Sequence, residues 1–399
     1  MRIAAIVTAC LVAPWNVASA ASLADVVRNA LANYPAIAVA QSNRNVAQYD
    51  IARARALHYP TVDLLGTRRL AGAASNLAQP RMRVNLWASG GIEASVEREE
   101  LREEALARRE LETREAVAFD AAQAYLRLLR GVNVLTAARR NLERHEALVR
   151  DFESIASIDV GRRYDLVQAR TRLEQVRLQI ADNEAEIASA REALARFYAP
   201  PIPANELTLP DPLPDPGPGA AQVVLAGHPS VEAARHELLA AQAAVRVARA
   251  DRMLRVDVES TMGKQSATQL VVSWPAFDLG RGAAEQAAQA ALIGARARVD
   301  EQERLVEEQQ RSALQDYRAA QRREAVSRGQ IGLAEELVEV YREQFRVGRR
   351  NLLDLLNAFA ELSGAEITYE TSRVDKSLAR YRMEYAQGRL ATHFDRTSP

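Results

Sequence analysis

Residues 33–37 read Asn33-Tyr34-Pro35-Ala36-Ile37, and 194 positions later the chain reads Gly227-His228-Pro229-Ser230-Val231. At the same spacing and without gaps, Ala54-Arg55-Ala56 falls on Ala248-Arg249-Ala250 and Val62-Asp63 on Val256-Asp257. Farther on, Asp159-Val160-Gly161-Arg162-Arg163 is matched by Arg346-Val347-Gly348-Arg349-Arg350, and Asp165-Leu166-Val167-Gln168-Ala169 by Asp354-Leu355-Leu356-Asn357-Ala358. Self-similarity over most of a chain marks a repeated structural unit. Eight of the fifteen prolines fall within residues 199–220. That stretch therefore cannot be a helix and reads as an extended linker. The expected plan is a first repeat over 21–198, the linker over 199–220 and a second repeat over 221–399.

Each repeat reads as helix, strand pair, very long helix, turn, helix. Leu166, Leu173, Ile180, Ile187 and Leu194 recur every seven residues, as do Leu128, Leu135, Leu142 and Val149, and Leu292, Val299 and Val306. Such seams belong to coiled coils or helical bundles. Length separates the two: the 67 residues from Ile92 to Ile158 contain no proline, and a helix of that length stands about 100 Å tall. The flanking helices, about Ser22–His58 and Arg162–Tyr198, together match the long one. The second half repeats this with Gly282–Phe345 flanked by Ala221–Met253 and Arg349–Leu390, predicting four rods of equal height.

Helical patterning stops at the far end of these rods. Thr61–Leu65, Arg83–Trp87, Arg255–Glu259 and Gln269–Trp274 alternate as half-buried strands do. Val62, Leu64, Val84, Leu86, Val256 and Val258 then share one face, leaving Asp63, Asn85, Asp257 and Glu259 on the other. The intervening loops are expected over about Thr67–Arg81 and Gly263–Thr268. A barrel with lipid outside and water inside needs that division, although a small soluble cap sheet would alternate in the same way. Four short strands cannot close alone, because their edges would stay unpaired in lipid.

Composition bounds the function. Lys plus Arg and Asp plus Glu number 52 each, which argues against a nucleic-acid binder held by bulk charge. Arg2, the apolar stretch Ile3–Val17 and the small-x-small sequence Ala18-Ser19-Ala20 read as a signal peptide over residues 1–20. The single cysteine, Cys10, lies inside it, so the exported chain is expected to carry no thiol chemistry. No later apolar run is long enough for a transmembrane helix, and any membrane crossing must use strands. No nucleophile elbow, phosphate loop, dinucleotide fingerprint or paired-histidine zinc motif is present, so neither an enzyme nor a cofactor is expected. His228, Glu232 and His236 share one helix face, and without a third ligand and its supporting shell they read as a surface row and not a metal site.

Taken together, the two Asn/His-Pro helices leading to strands, Trp274-Pro275-Ala276-Phe277-Asp278-Leu279-Gly280-Arg281, and Phe345-Arg346-Val347-Gly348-Arg349-Arg350-Asn351-Leu352-Leu353-Asp354 resemble the TolC family of outer-membrane efflux and secretion channels. The resemblance spans the chain after residue 20. It implies a mainly helical fold with short strands, assembled as a homotrimer with a helical tunnel in the periplasm and a twelve-stranded β-barrel in the cell outer membrane. It also implies a passive duct for type I protein secretion or multidrug efflux, opened when a periplasmic adaptor and an inner-membrane transporter dock. The competing reading is an exported coiled-coil scaffold of the envelope without a pore.

By the same resemblance, Asp354 takes the place of an acidic ring at the periplasmic aperture, and Asn357 stands where a second acid can occur, a departure that weakens cation trapping. Phe345 replaces an aromatic hydroxyl, and Arg350 keeps a basic latch position from which it would pair with Asp165 of the neighbouring repeat. Gly161 and Gly348 serve the two turns. Read without the resemblance, Asp354 and Asp165 are also ordinary carboxylates at helix N-termini, and Arg350 an ordinary solvated arginine.

Overall fold

The computed structural model describes residues 22–68, 76–217, 222–263 and 266–396. The segment read as a signal peptide, the tips of both strand hairpins and residues 218–221 of the proline-rich stretch lie outside the described residues. The elements are α1 (Leu23–Asn33), α2 (Pro35–Ala56), β1 (Thr61–Arg68), β2 (Asn76–Trp87), α3 (Gly91–Ile158), α4 (Arg163–Ala195), α5 (Pro229–Ala250), β3 (Arg255–Thr261), β4 (Ala267–Ser273), α6 (Leu279–Arg346), α7 (Leu352–Ala386) and α8 (Leu390–Arg396).

Both long helices run for 68 residues, or about 100 Å. The shorter helices lie along them. Toward the sheet, α2 packs on α3, and α5 packs on both α3 and α6; toward the other end, α4 packs on α3, and α7 on both α3 and α6. The result is one layer of helices with α2 and α4 stacked along one edge and α6 forming the other. Of the heptad seams, Leu128, Leu135, Val149, Leu173, Ile187, Leu194, Val299 and Val306 are buried.

Two helices expected to be continuous are broken. Pro35 carries no amide proton and forces Tyr34 into an extended conformation (φ −73°, ψ 129°), so the expected helix 22–58 becomes α1 and α2. Ser22 starts α1 with a capping box: its hydroxyl accepts from the Asp25 amide at 3.2 Å while the Asp25 carboxylate accepts from the Ser22 amide at 3.0 Å. In the second half, helix begins only at Pro229, where His228 is likewise extended, so residues 222–228, expected to be helical, are not. The last helix also ends early, because Gly388 adopts φ 65°. Its amide donates to the Tyr385 carbonyl and that of Arg389 to the Glu384 carbonyl, a Schellman closure that separates α7 from α8. A Cβ at Gly388 would stand 2.6 Å from Cδ of Pro229. Gly388→Ala is therefore expected to cost about 2 kcal/mol from the left-handed backbone and the clash together, read as a lowered thermal unfolding midpoint.

The main core lies at mid-height, where α1, α8 and the extended linker cover Val117–Leu129 of α3. The Tyr125 hydroxyl donates to the Thr208 carbonyl at 3.0 Å and accepts from its amide at 3.2 Å, anchoring the linker. Buried Glu115 accepts the amides of Leu390 at 2.7 Å and Ala391 at 3.1 Å, capping the start of α8. Burial raises this carboxyl to about 7 against its ordinary 4.5, the two amides and Arg114 pulling the other way and Glu384 adding to the rise. A raised folded-state pKa means stability fully present below pH 4.5 and lost as pH rises toward 7. Over that interval the loss is up to about 3 kcal/mol. Glu115→Gln keeps an acceptor for α8 with no charge to bury, so its unfolding midpoint should vary less with pH than that of the parent; identical slopes would contradict the assignment.

The four strands form one antiparallel sheet in the order β1-β2-β3-β4. Register pairs Val62 with Met82, and Val84 with Val258 and, through it, Leu270, placing them on one face; Thr61, Arg83, Glu259 and Gln269, and Asn85 with Asp257, fall on the other. On the apolar face, Val62, Leu64, Leu86, Leu270 and Val272 are 56–75% exposed. The opposite face pairs its charges: Arg83 with Glu259 at 2.5 Å, Arg81 with Asp63 at 3.4 Å, and the Asn85 amide with Asp257 at 2.8 Å. Leu65 and Val271 are large apolar exceptions on that face among the described side chains. The strands are longer than expected: β2 starts at Asn76, inside the stretch read as a loop, and includes Pro80. Pro80 lies one residue past the last β2–β3 pair, Arg81 with Thr261; its carbonyl still accepts the Met262 amide at 2.9 Å, and at that end of the ladder a missing amide proton is tolerated.

Candidate functional site at the hairpin tips

The ends of the helical layer remote from the sheet are two turns, one joining α3 to α4 and one joining α6 to α7. The sequences Val160-Gly161-Arg162 and Val347-Gly348-Arg349 look alike but fold differently. In the second, Gly348 takes φ 72°; its amide donates to the Phe345 carbonyl at 3.0 Å and that of Arg349 to the Gln344 carbonyl at 2.9 Å. This is again a Schellman closure, and it requires the glycine. In the first, Val160–Arg162 is a short 3₁₀ turn, Gly161 is not left-handed, and its amide donates to the Asp159 carboxylate at 2.9 Å. The two residues by which the first turn is shorter are absorbed there.

The α6–α7 turn brings together most of the predicted aperture residues. The Asn351 side chain caps α7 by accepting the Asp354 amide at 2.8 Å, which fixes Asp354 in the first helical turn, where a carboxylate is favoured by the helix dipole. Arg350 is held three ways: its guanidinium lies over the Tyr341 ring at 4.3 Å, donates to Gln344 Oε1 at 3.0 Å, and approaches Asp354 Oδ2 at 3.5 Å. Phe345 packs on Phe152 of α3 with ring centroids 5.7 Å apart. Asn357 is exposed one turn beyond Asp354.

Asp165 stands in the first turn of α4, facing Arg162 at 3.4 Å. Within the single chain Arg350 and Asp165 are not paired with each other; each is engaged by a residue of its own turn, Arg350 by Asp354 and Asp165 by Arg162. Between the turns lies a cleft of about 700 Å³ lined by Asp151, Phe152, Arg162, Phe345, Arg346 and Leu355, among others.

Sequence reading missed two features here. Glu361 is exposed on the same stripe of α7 as Asn357, a placement signalled by the four-residue spacing. Glu366, nearly buried on α7, receives a two-pronged contact from Arg144 of α3 at 2.5 and 3.1 Å; nothing in the local sequence marks that long-range pair. Near it, His145 is buried against the edge of Phe359 and bonded through Nδ1 to the Asn141 carbonyl at 3.0 Å. Burial lowers its pKa, and Arg144 and Arg172 act in the same direction. Of the other histidines weighed, His228 bonds Ser230 at 2.9 Å; among the described residues no group of three or more His, Cys, Asp or Glu is placed to hold an ion.

This arrangement contains no nucleophile aligned with a base; it is a pair of turns whose charged residues line the end of a helical wall. No helix among the described residues is long and apolar enough to cross a membrane. The same fold occurs in solved outer-membrane channels. OprN matches with a TM-score of 0.77 at 22% identity, covering 92% of this chain and 90% of that one. CmeC of Campylobacter jejuni matches at 0.78 and 16%, covering 92% and 85%, and the open state of MtrE of Neisseria gonorrhoeae at 0.79 and 18%, covering 92% and 88%. No curated protein matches the chain by sequence. The sequence profile described as outer membrane efflux protein matches residues 26–198 and again 220–391, so that both halves carry it, and the chain belongs to that family of outer-membrane channels.

Proposed function

We propose that three copies of this chain close into a single duct, the outer-membrane component of a tripartite export system serving type I protein secretion or multidrug efflux. The observation that carries this reading is the sheet: its apolar face is exposed, its charges are paired on the opposite face, and β1 and β4 each leave an edge without a partner. In lipid that arrangement is stable only when the edges are closed. Four strands from each of three copies would make a twelve-stranded barrel. The helical layer would close in the same way, α6 of one copy against α2 and α4 of the next. On this reading residues 21–198 and 221–399 are the duplicated repeats and 199–220 the connection between them. Two similar halves per copy give the ring six nearly equivalent walls.

The tips would form the periplasmic aperture. Asp354, with Asn357 and Glu361 beyond it on α7, supplies its charge, and Arg350 its latch. Because Arg350 already lies beside Asp354, a ring of three such acids is partly neutralised and should hold cations weakly. Opening would move the α6–α7 hairpin against α3–α4, with a periplasmic adaptor and an inner-membrane transporter as the partners that drive it. The ties to be broken run between α3 and α7 or α6: Arg144–Glu366, Arg130–Asp375 at 3.5 Å, and Phe152–Phe345.

The test is the assembled protein in detergent and in planar bilayers. A particle of three chains that gives sustained conductance supports the duct. A single soluble chain that leaves bilayers sealed would support an envelope scaffold and overturn this reading.

A further inference from the structure

Pro210, Pro212 and Pro214 alternate with Asp211, Leu213 and Asp215 along the connection between the repeats. A proline at every second position removes half of the amide protons and fixes φ at about −65°, so this strap neither becomes a helix nor pairs as a strand, and it keeps an extended shape of its own. It is tied down on both sides of that stretch. Tyr125 holds Thr208 before it, the Arg380 guanidinium donates to the Pro214 carbonyl at 3.0 Å, and beyond it Gln310 exchanges two hydrogen bonds of 2.9 Å with the backbone of Val224. Where the strap spans α6 and α7 it leaves a cavity of about 390 Å³.

The two walls of this cavity differ in charge. The strap contributes Asp211 and Asp215, both exposed. Asp215 accepts the Tyr317 hydroxyl at 2.5 Å, and neither carboxylate has a cationic partner among the described residues. The helical wall contributes Lys376 and Arg380 of α7, each already neutralised, Lys376 by Glu324 at 2.9 Å and Arg380 by Glu384 at 2.7 Å. Carboxylates therefore outnumber cations around the space, and its potential is negative. The tyrosines respond to it. Burial chiefly, and then the hydrogen bond and charge of Asp215, push the Tyr317 hydroxyl up to about 12, while burial followed by Asp211 raises that of Tyr381, with Arg380 opposing in both.

Tyr381 is not explained by packing within the chain. It is 4% exposed and lines the cavity, and its hydroxyl has no hydrogen-bond partner among the described residues. The hydroxyls of Tyr125 and Tyr317 are by contrast both bonded to the strap. A buried polar atom without a partner is costly unless something entering the space meets it. The surfaces around it are apolar, made of three proline rings, Leu213 and the two tyrosine rings. Apolar walls with a few convergent polar groups are the make-up of small-molecule sites. An ammonium group meets both requirements at once: it donates to the Tyr381 oxygen and to the carboxylates, and aromatic faces attract it as well. An anion would meet an excess of its own charge.

We infer that this cavity is a binding site for a small organic ammonium ion with an apolar body, its charge held by Asp211, Asp215 and the Tyr381 hydroxyl and its body lying against the proline and tyrosine rings. The occupant bridges the strap and α7. The site stands about 44 Å from the tips along α7, apart from the aperture, and it is complete within one chain, so it does not rest on closure of the duct.

The test is calorimetric titration of the full chain in detergent with phenethylammonium, 2-phenylethanol and phenylacetate, which share a body and differ in charge. Saturable binding of the cation is expected, with the alcohol about tenfold weaker or more and phenylacetate undetected. Asp211→Asn alters an exposed carboxylate that bonds nothing in the chain; it should weaken the cation about fivefold with no change in the unfolding midpoint. Adding Asp215→Asn should bring the loss to about tenfold or more, and Tyr381→Phe alone should cost about threefold. Lys376→Gln should act the other way and tighten the cation, because Glu324 then loses its partner. Equal affinity for the cation and the alcohol would reduce the site to an apolar hollow, and tighter binding of phenylacetate would assign it to the cationic wall. Either result overturns the inference. So does a cation isotherm that the aspartate and tyrosine variants leave in place, or the lack of any saturable binding.

Discussion

Replacing Leu333 and Val340 together by aspartate is expected to leave the chain folded and to abolish both the three-chain particle and its conductance. Val326, Leu333 and Val340 of α6, and Val347 just past its end, lie seven residues apart and are 44–70% exposed in the single chain. A heptad stripe left open at the edge of a helical layer lacks the facing helix that such spacing requires. The opposite edge carries Tyr164, Val167 and Leu178 of α4, exposed at 74%, 56% and 65%. The heights agree. Leu333 stands about 20 Å from the tip end of α6 and Leu178 about 22 Å from that of α4, while Val347 and Tyr164 both stand at the tips. Burying a leucine or valine contributes about 1.5–3 kcal/mol, and a closed ring of three repeats each contact three times. An aspartate in that seam reverses the sign, since an unpaired charge is costly to bury. In the single chain the same positions face water, where substitutions change stability by about 0.5 kcal/mol or less. Helical circular dichroism should therefore be unchanged while sedimentation reports one chain. A double variant that still assembles and conducts would remove α6 from the contact between copies.

Periodicity and length exposed the rods well. The seam of Leu128, Leu135 and Val149 is buried as a seam should be, and α3 begins and ends within a residue of the proline-free stretch from Ile92 to Ile158. The strand faces were equally readable, because alternation is a local property. Boundaries set by single residues were harder. Pro35 and Pro229 are permitted at the first position of a helix, and the same residue that starts α2 ends α1 by restricting Tyr34. Pro80 concealed the lower half of β2, since only the relative lengths of β2 and β3 show that the proline lies beyond the last β3 pairing. At the tips the turn motifs were visible, but their difference was not. Two residues of length turn a left-handed Gly348 into a 3₁₀ Gly161, and Arg350 finds Tyr341, Gln344 and Asp354 before it can reach the other hairpin. Glu366 and Arg144 are 222 residues apart in sequence, and no local pattern foretells such a pair.

That pair gives the largest effect expected from one side chain. Glu366 is 7% and Arg144 21% exposed, joined by two hydrogen bonds, with Arg140 at 3.6 Å. Glu366→Ala leaves a guanidinium facing α7 with no acceptor, and uncoupling a buried charge costs about 3 kcal/mol, somewhat less here for the residual exposure of Arg144. In a chain of this size, whose unfolding entropy is about 0.8 kcal/mol/K, the unfolding midpoint should fall by about 3–4 °C. Glu366→Gln keeps one acceptor oxygen and should fall by less. Replacing both partners with apolar residues of similar volume, Arg144→Met with Glu366→Leu, should recover most of the loss, because the penalty comes from the orphaned charge and not from absence of the bond. If α3 and α7 separate when the duct opens, Glu366→Ala also removes a tie that favours the closed state, so the assembled variant should spend a larger share of time conducting without any partner present. The two readouts are separable. An unchanged midpoint would mean that water already screens the pair, whereas a lowered midpoint with unaltered gating would place the hinge elsewhere along the α3–α7 contact.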